Sequence, residues 1–123
     1  MTIQQLYEKI GGNYDQAVRV MKKDKLIDKY VRKLKDSDVG TQLAQAGETM
    51  DGEKLFESAH AMKGVCANLG LDALAGAADE ITEEFRPGNP RKLSDDAVRE
   101  KLDSILLRYR ATVQGIAEYE ADN

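Results

Sequence analysis

The sequence predicts an all-α fold: an antiparallel up-down four-helix bundle with an extra short N-terminal helix, in a single domain (1–123) whose core spans about residues 13–117. Three observations point there. Apolar residues recur every three or four positions along most of the chain, which is the spacing of one helix face. Leu, Ala, Glu, Lys, Asp and Arg dominate, there is no Trp, Phe occurs 2 times, and the 2 Pro are confined to Pro87 and Pro90, a composition that favours helices over strands. The links between periodic segments are short, so successive helices must run antiparallel. A chain of 123 residues, 41% hydrophobic and 33% charged, suffices for one modest core.

In chain order, Thr2 can cap a first helix from Ile3 to Ile10, stopped by Gly11-Gly12. Asn13 can cap the next, with Ala17, Val18 and Met21 on one face. The periodicity continues through Leu26, Ile27, Tyr30, Val31 and Leu34; the sequence leaves open whether Lys22-Lys23-Asp24 interrupts it, with Asp24 as a cap. Asp36 to Gly40 is a possible kink before Leu43 and Ala46, and Met50-Asp51-Gly52 reads as a turn. The clearest helix runs from about Glu53 to Leu69, with Leu55, Ala59, Met62, Cys66 and Leu69 on its apolar stripe and Gly70 as a left-handed stop. Leu71, Leu74, Ala78, Ile81 and Phe85 repeat that spacing, so these two helices form a hairpin. Pro87-Gly88-Asn89-Pro90 is a loop. Ser94 or Asp95 caps the last helix, which passes through Val98, Leu102, Ile105, Tyr109, Val113 and Ile116; the polar tail Glu118 to Asn123 is expected to fray.

Charge and composition narrow the function. The formal net charge is -4 with a pI near 5.1, which argues against nucleic acid as a partner. The basic run Lys22 to Lys35 is interleaved with Asp24, Asp28 and apolar residues and reads as a solvated helix face. Cys66 is the only cysteine and lies on the core stripe, so an inert buried thiol is expected. There is no signal-peptide pattern and no apolar run near the roughly 20 residues that span a bilayer; a cytoplasmic setting without membrane contact is expected. Glu80, Glu83 and Glu84 look solvated, and with no second histidine no metal or other cofactor is expected.

His60 is the only histidine. At about 100° per residue it lies about 120° from Cys66, outside the apolar stripe. Gly64 follows one turn later and Ala67 two turns later, Lys63 stands beside it, and Phe56 precedes it by one turn. A helix-interior glycine costs about 1 kcal/mol relative to alanine. Gly64 therefore has one of two reasons: close approach of another molecule, or relief of crowding against a neighbouring helix. Lys63 at i+3 is a neighbour of His60 on the helix; taken alone it reads as an ordinary exposed lysine, but together with His60 and Gly64 it could pair with an anionic group carried on the imidazole.

Ala59-His60-Ala61-Met62-Lys63-Gly64, followed by Ala67-Asn68-Leu69-Gly70, resembles the signature of histidine-containing phosphotransfer (HPt) domains. The resemblance is strongest over about thirty residues and is compatible with the whole chain. It implies a four-helix bundle with an exposed histidine midway along one helix. The Nε2 atom of that histidine takes a phosphoryl group from one receiver aspartate and passes it to another, the receivers being those of hybrid sensor kinases and response regulators. On this resemblance His60 is the phosphoacceptor, Lys63 pairs with the phosphoryl oxygens, and Gly64 leaves room for the receiver's loop. Asn68 and Gly70 match the structural end of the motif. The receiver supplies the Mg²⁺, and the chain is a phosphocarrier without autokinase activity.

The chemistry suits so small a site. Neutral imidazole is a competent nucleophile near pH 7, and phosphoryl transfer needs positioning and charge stabilisation above all. Counting back ten positions from Gly70 gives His60, and counting forward about as far reaches Ile81 and Thr82; Ile81 belongs to the core repeat, so Thr82 is the candidate to hydrogen-bond Nδ1, with Arg86 one turn further on as a second candidate cation for the phosphoryl group. Family members often carry a longer side chain such as glutamine at this level, so threonine departs from the pattern. Phe56 is either a docking hydrophobe or a core residue. An autokinase dimerisation domain is disfavoured because no acidic residue and proline follow His60. A bundle that binds partners with a chemically silent histidine is the alternative. The start at Met1 and the lack of any other domain are read as a free-standing, monomeric carrier.

Overall fold

The computed structural model describes residues 1–123 and is all helical. α1 (Ile3–Ile10) opens on a reciprocal cap: the Gln5 amide donates to the Thr2 hydroxyl and the Thr2 amide donates to the Gln5 side chain. Gly11, at φ 70°, ends it. α2 (Tyr14–Met21) starts where the Gln16 amide donates to the Asn13 side chain.

Lys22, at φ 73°, answers the question left open by the sequence: the chain breaks there, and α3 (Asp24–Asp36) is a separate helix. Asp24 is its first helical residue; the cap position is Lys23, which makes no side-chain cap bond. Ser37 and Asp38 break the chain again before α4 (Val39–Thr49). After Met50, at φ 52°, the Lys54 amide donates to the Asp51 carboxylate to start α5 (Gly52–Asn68). α6 (Asp72–Phe85) follows a three-residue turn, and α7 (Asp95–Asp122) starts at a Ser94 cap.

Helices α4, α5, α6 and α7 form the bundle, with α5 and α6 as its most extensively packed pair and α4 and α7 closing the ring. The first helix of the ring is α4. The extra N-terminal helix α1 is present and is joined outside the ring by α2 and α3; α1 and α3 lie against α7, and α2 lies against α5.

One apolar cluster runs through the molecule. It includes Leu43, Leu55, Ala59, Met62, Cys66, Leu74, Ala78, Ile81, Val98, Leu102 and Ile105, and from outside the ring Leu6, Ile27, Val31 and Leu34. Burying each large aliphatic side chain contributes roughly 1.5–3 kcal/mol. The core is wider than 13–117, because Ile3, Leu6, Tyr7 and Tyr119 are buried in it. The C-terminal tail also departs from expectation. It is helical to Asp122 because Tyr119 packs into the core, the Met1 amino group pairs with Asp122 at 2.7 Å, and the Asn123 side chain donates to the Met1 carbonyl.

The turn between α5 and α6 is clamped from outside the ring. Gly70 has φ 68°, and a Cβ there would lie 2.2 Å from the Asn13 carbonyl oxygen. The Asn13 amide donates to the Gly70 carbonyl at 2.8 Å, and the Tyr7 hydroxyl donates to the Leu69 carbonyl at 2.7 Å. The hairpin that carries His60 therefore has a fixed end.

Candidate functional site

Residues of α5 and α6 meet in a register fixed by two contacts. The Arg86 guanidinium lies 5.2 Å from the centre of the Phe56 ring, and Lys63 Nζ lies 2.8 Å from Asp79 Oδ1. Midway between these contacts, His60 on α5 stands level with Thr82 on α6.

His60 is exposed and makes no hydrogen bond within the chain. What orients its ring is Phe56: the two rings stack with centres 5.6 Å apart and planes 10° from parallel. Phe56 is partly buried and carries the imidazole of His60 on one side and the Arg86 guanidinium close by.

Gly64 and Ala67 are exposed on the same face. Beyond its chain neighbours and its own helix backbone, a Cβ added at Gly64 would meet nothing within 4 Å. This removes the packing explanation for that glycine. Glycines that do relieve crowding look different: at Gly40 a Cβ would come within 2.4 Å of the Tyr109 ring, and at Gly115 within 2.5 Å of Ile10. Gly76 on α6 is likewise open.

Thr82 does not do what was expected of it. Its register is right, but it is fully buried, and its hydroxyl donates to the Ala78 carbonyl of its own helix at 2.9 Å. It lies one turn after buried Ala78 and so shares the core-facing row of α6. Arg86 reaches the site through Phe56 instead of pointing to the imidazole directly. Its guanidinium is held by Glu83 through contacts of 2.8, 3.0 and 3.1 Å. The hydrogen-bonded Glu83 carboxylate raises the pKa of Arg86, and the Arg86 guanidinium, helped by Asn89 and by the charge of Lys63, holds Glu83 below the ordinary carboxylate range against the effect of burial.

Lys63 and Asp79 are both half-exposed, at 37% and 41%. Asp79 Oδ1 is shielded from water yet has no hydrogen bond of acceptable angle, so charge alone holds it to Lys63. An ion pair with this exposure contributes roughly 0–1 kcal/mol. Asp79 was not singled out from the sequence, and Glu83 entered only as one of a solvated acidic group. The hairpin register that placed Thr82 opposite His60 also places Asp79 opposite Lys63, and would have found it.

On the other flank of the His60 face, Val65 is 40% exposed and shares a shallow groove with Met21, Tyr30 and Leu34 of the N-terminal helices. Cys66 takes no part in the site: it is buried, and burial pushes its thiol up to about 12. No helix is long and apolar enough to cross a membrane.

The structure thus combines a four-helix ring with one outward-facing histidine, a lysine one turn away and a bare helical turn. The family model of the Hpt domain matches residues 36–117, which is 82 of the 123 residues, and the chain belongs to that family. Its members carry phosphoryl groups on histidine within phosphorelays and interact with receiver domains. The matched residues are essentially the ring α4–α7; α1, α2 and most of α3 precede it. No curated protein and no solved structure was found to match the chain.

Proposed function

We propose that His60 accepts a phosphoryl group from the aspartyl phosphate of one receiver domain and passes it to the aspartate of another, in two-component signal transduction. The observation that carries this reading is the open space over Gly64 beside an exposed imidazole. A glycine that nothing in its own chain requires, one turn from the only histidine, fits a site that a second protein must approach closely.

The step is an in-line displacement. Nε2 of neutral imidazole attacks phosphorus, the N–P bond forms, the bond from phosphorus to the aspartyl oxygen breaks, and the receiver's carboxylate leaves. The imidazole keeps its Nδ1 proton. The Phe56 ring holds the imidazole plane, Lys63 meets the charge of the transferred group, and Gly64 with Ala67 leaves the face bare. Transfer to the second receiver is the same displacement in reverse. The phosphoryl group comes from a partner, so the chain acts as a carrier and not as an autokinase.

The test is incubation with phosphorylated receiver domains of hybrid kinases and response regulators. The expected result is acid-labile, base-stable label on His60, lost in His60→Gln while the helical signal and melting curve persist. Absence of label with every receiver, together with unchanged receiver binding by His60→Gln, would establish the silent interaction module instead.

A further inference from the structure

Beside His60 lies a ring of four charges that the transfer chemistry as described uses only in part: Lys63, Asp79, Glu83 and Arg86. Arg86 is committed to Glu83 by three short contacts. Lys63 is committed to Asp79 by a single 2.8 Å approach without hydrogen-bond geometry. Of the two cations, Lys63 is the one that can be drawn away at small cost, and it sits one turn from the imidazole.

We infer that Asp79 is a placeholder for the phosphoryl group: it holds Lys63 beside His60 in the free protein, gives the ammonium up when His60 is phosphorylated, and thereby sets how strongly the carrier retains its phosphoryl group. The inference rests on His60 being the phosphoacceptor.

Three physical points support the exchange. A dianionic phosphoryl group attracts an ammonium about twice as strongly as a carboxylate at equal distance. Its oxygens offer the charge-assisted hydrogen bonds that Asp79 Oδ1 does not receive. And Asp79 stays on α6 after losing Lys63, as a negative charge near the phosphoryl group. The free protein thus has a paired lysine and no stranded charge, whereas the phosphorylated protein gains one ion pair and loses another. Asp79 weakens retention and favours onward transfer. It is a positioning residue, acting through Lys63 and not on the reacting atoms.

The test uses the full chain labelled on His60 with potassium phosphoramidate, a small donor that needs no receiver docking. The second ionisation of the phosphoryl group is followed by ³¹P NMR in the wild type, Asp79→Asn, Lys63→Ala and the double variant. Asp79→Asn is expected to lower that ionisation by several tenths of a pH unit, because it removes a negative charge and frees Lys63. Lys63→Ala is expected to raise it. In the Lys63→Ala background the effect of Asp79→Asn should fall to less than half. With a receiver that exchanges label, Asp79→Asn should also shift the transfer equilibrium toward phosphorylated His60 by several-fold.

No shift in Asp79→Asn overturns the inference. An equal shift with and without Lys63 also overturns it, since Asp79 would then act by direct repulsion alone. Asp79→Ser, tested alongside, must follow Asp79→Asn; if it does not, the amide and not the lost charge is responsible, and the inference falls. Failure of every receiver to label His60 would count against the transfer reading, while the ³¹P titration would still decide the placeholder.

Discussion

At Gly64 a methyl group would meet no neighbour within 4 Å, so the fold and the proposed transfer make opposite demands on this position. For the fold, Gly64→Ala should stabilise by about 0.5–1 kcal/mol, because alanine loses less backbone entropy in a helix interior. For transfer, bulk at that turn keeps the receiver away. Gly64→Gln should still fold at least as well as the wild type, but its rate of phosphorylation by a receiver should fall about tenfold, equivalent to about 1.4 kcal/mol of transition-state binding. Labelling by phosphoramidate should change little, since that reagent is small. Urea melts and both labelling rates check the pair of claims. A destabilised Gly64→Ala would restore a packing role for the glycine. The sequence showed His60, Lys63 and Gly64 as one constellation because helix spacing alone puts them on one face. That Thr82 turns inward was legible too, since it stands four residues after Ala78 on the apolar row, but counting the hairpin register gave its level alone and passed over its rotation about the axis. The sequence did not show the stack of His60 on Phe56, which depends on side-chain angles that no spacing rule supplies.

At the scale of elements, the connection from α6 to α7 hangs on one buried carboxylate. Glu84 Oε2 accepts from Arg91 Nε at 2.7 Å and from the amides of Lys92 and Leu93 at 2.9 Å each. Burial alone would push this carboxyl up, but the Leu93 amide, the Arg91 guanidinium and the Lys92 amide together hold it below the ordinary range. A carboxyl depressed in the folded state contributes stability that is present above its unfolded pKa, near 4.3, and is lost as pH falls through the folded value. Glu84→Gln should therefore cost about 1–3 kcal/mol at pH 7, and the gap from the wild type should narrow as pH falls below the unfolded value of about 4.3. Chemical denaturation at pH 7 and pH 3 reads it; an equal gap at both would mean the hydrogen bonds do not depend on the carboxylate charge. The loop itself was legible from Pro87 to Pro90, whereas the glutamate that anchors it looked like one of a solvated acidic group. The break at Lys22 was hidden for a related reason: a lysine at φ 73° carries no signal in its identity, as glycine does at Gly11 and Gly70.

At the scale of the whole molecule, the matched residues 36–117 do not contain the whole core. Residues before 36 contribute Ile3, Leu6, Tyr7, Ala17, Ile27, Val31 and Leu34, every one of them buried. At roughly 1.5–3 kcal/mol for each of the six larger side chains, their burial is comparable to the entire 5–15 kcal/mol stability of a typical domain. That figure is an upper bound on what truncation removes, because a shorter chain also has fewer residues to order. Removing them would also strip the face of α7 that receives α1 and α3, and would release the end of the hairpin, where the Tyr7 hydroxyl donates to the Leu69 carbonyl and the Asn13 amide to the Gly70 carbonyl. The hairpin positions His60, so the consequence reaches the site. A 36–117 fragment should show no cooperative thermal transition by circular dichroism, while the full chain melts in one step. Tyr7→Phe in the full chain isolates the clamp: it leaves the ring packed and the Leu69 carbonyl without its buried donor, which should cost about 1–2 kcal/mol. A fragment that melts cooperatively within a few degrees of the full chain would show that α1, α2 and α3 decorate a self-sufficient ring. The predicted loss would show that they are part of what holds the His60 helix in place.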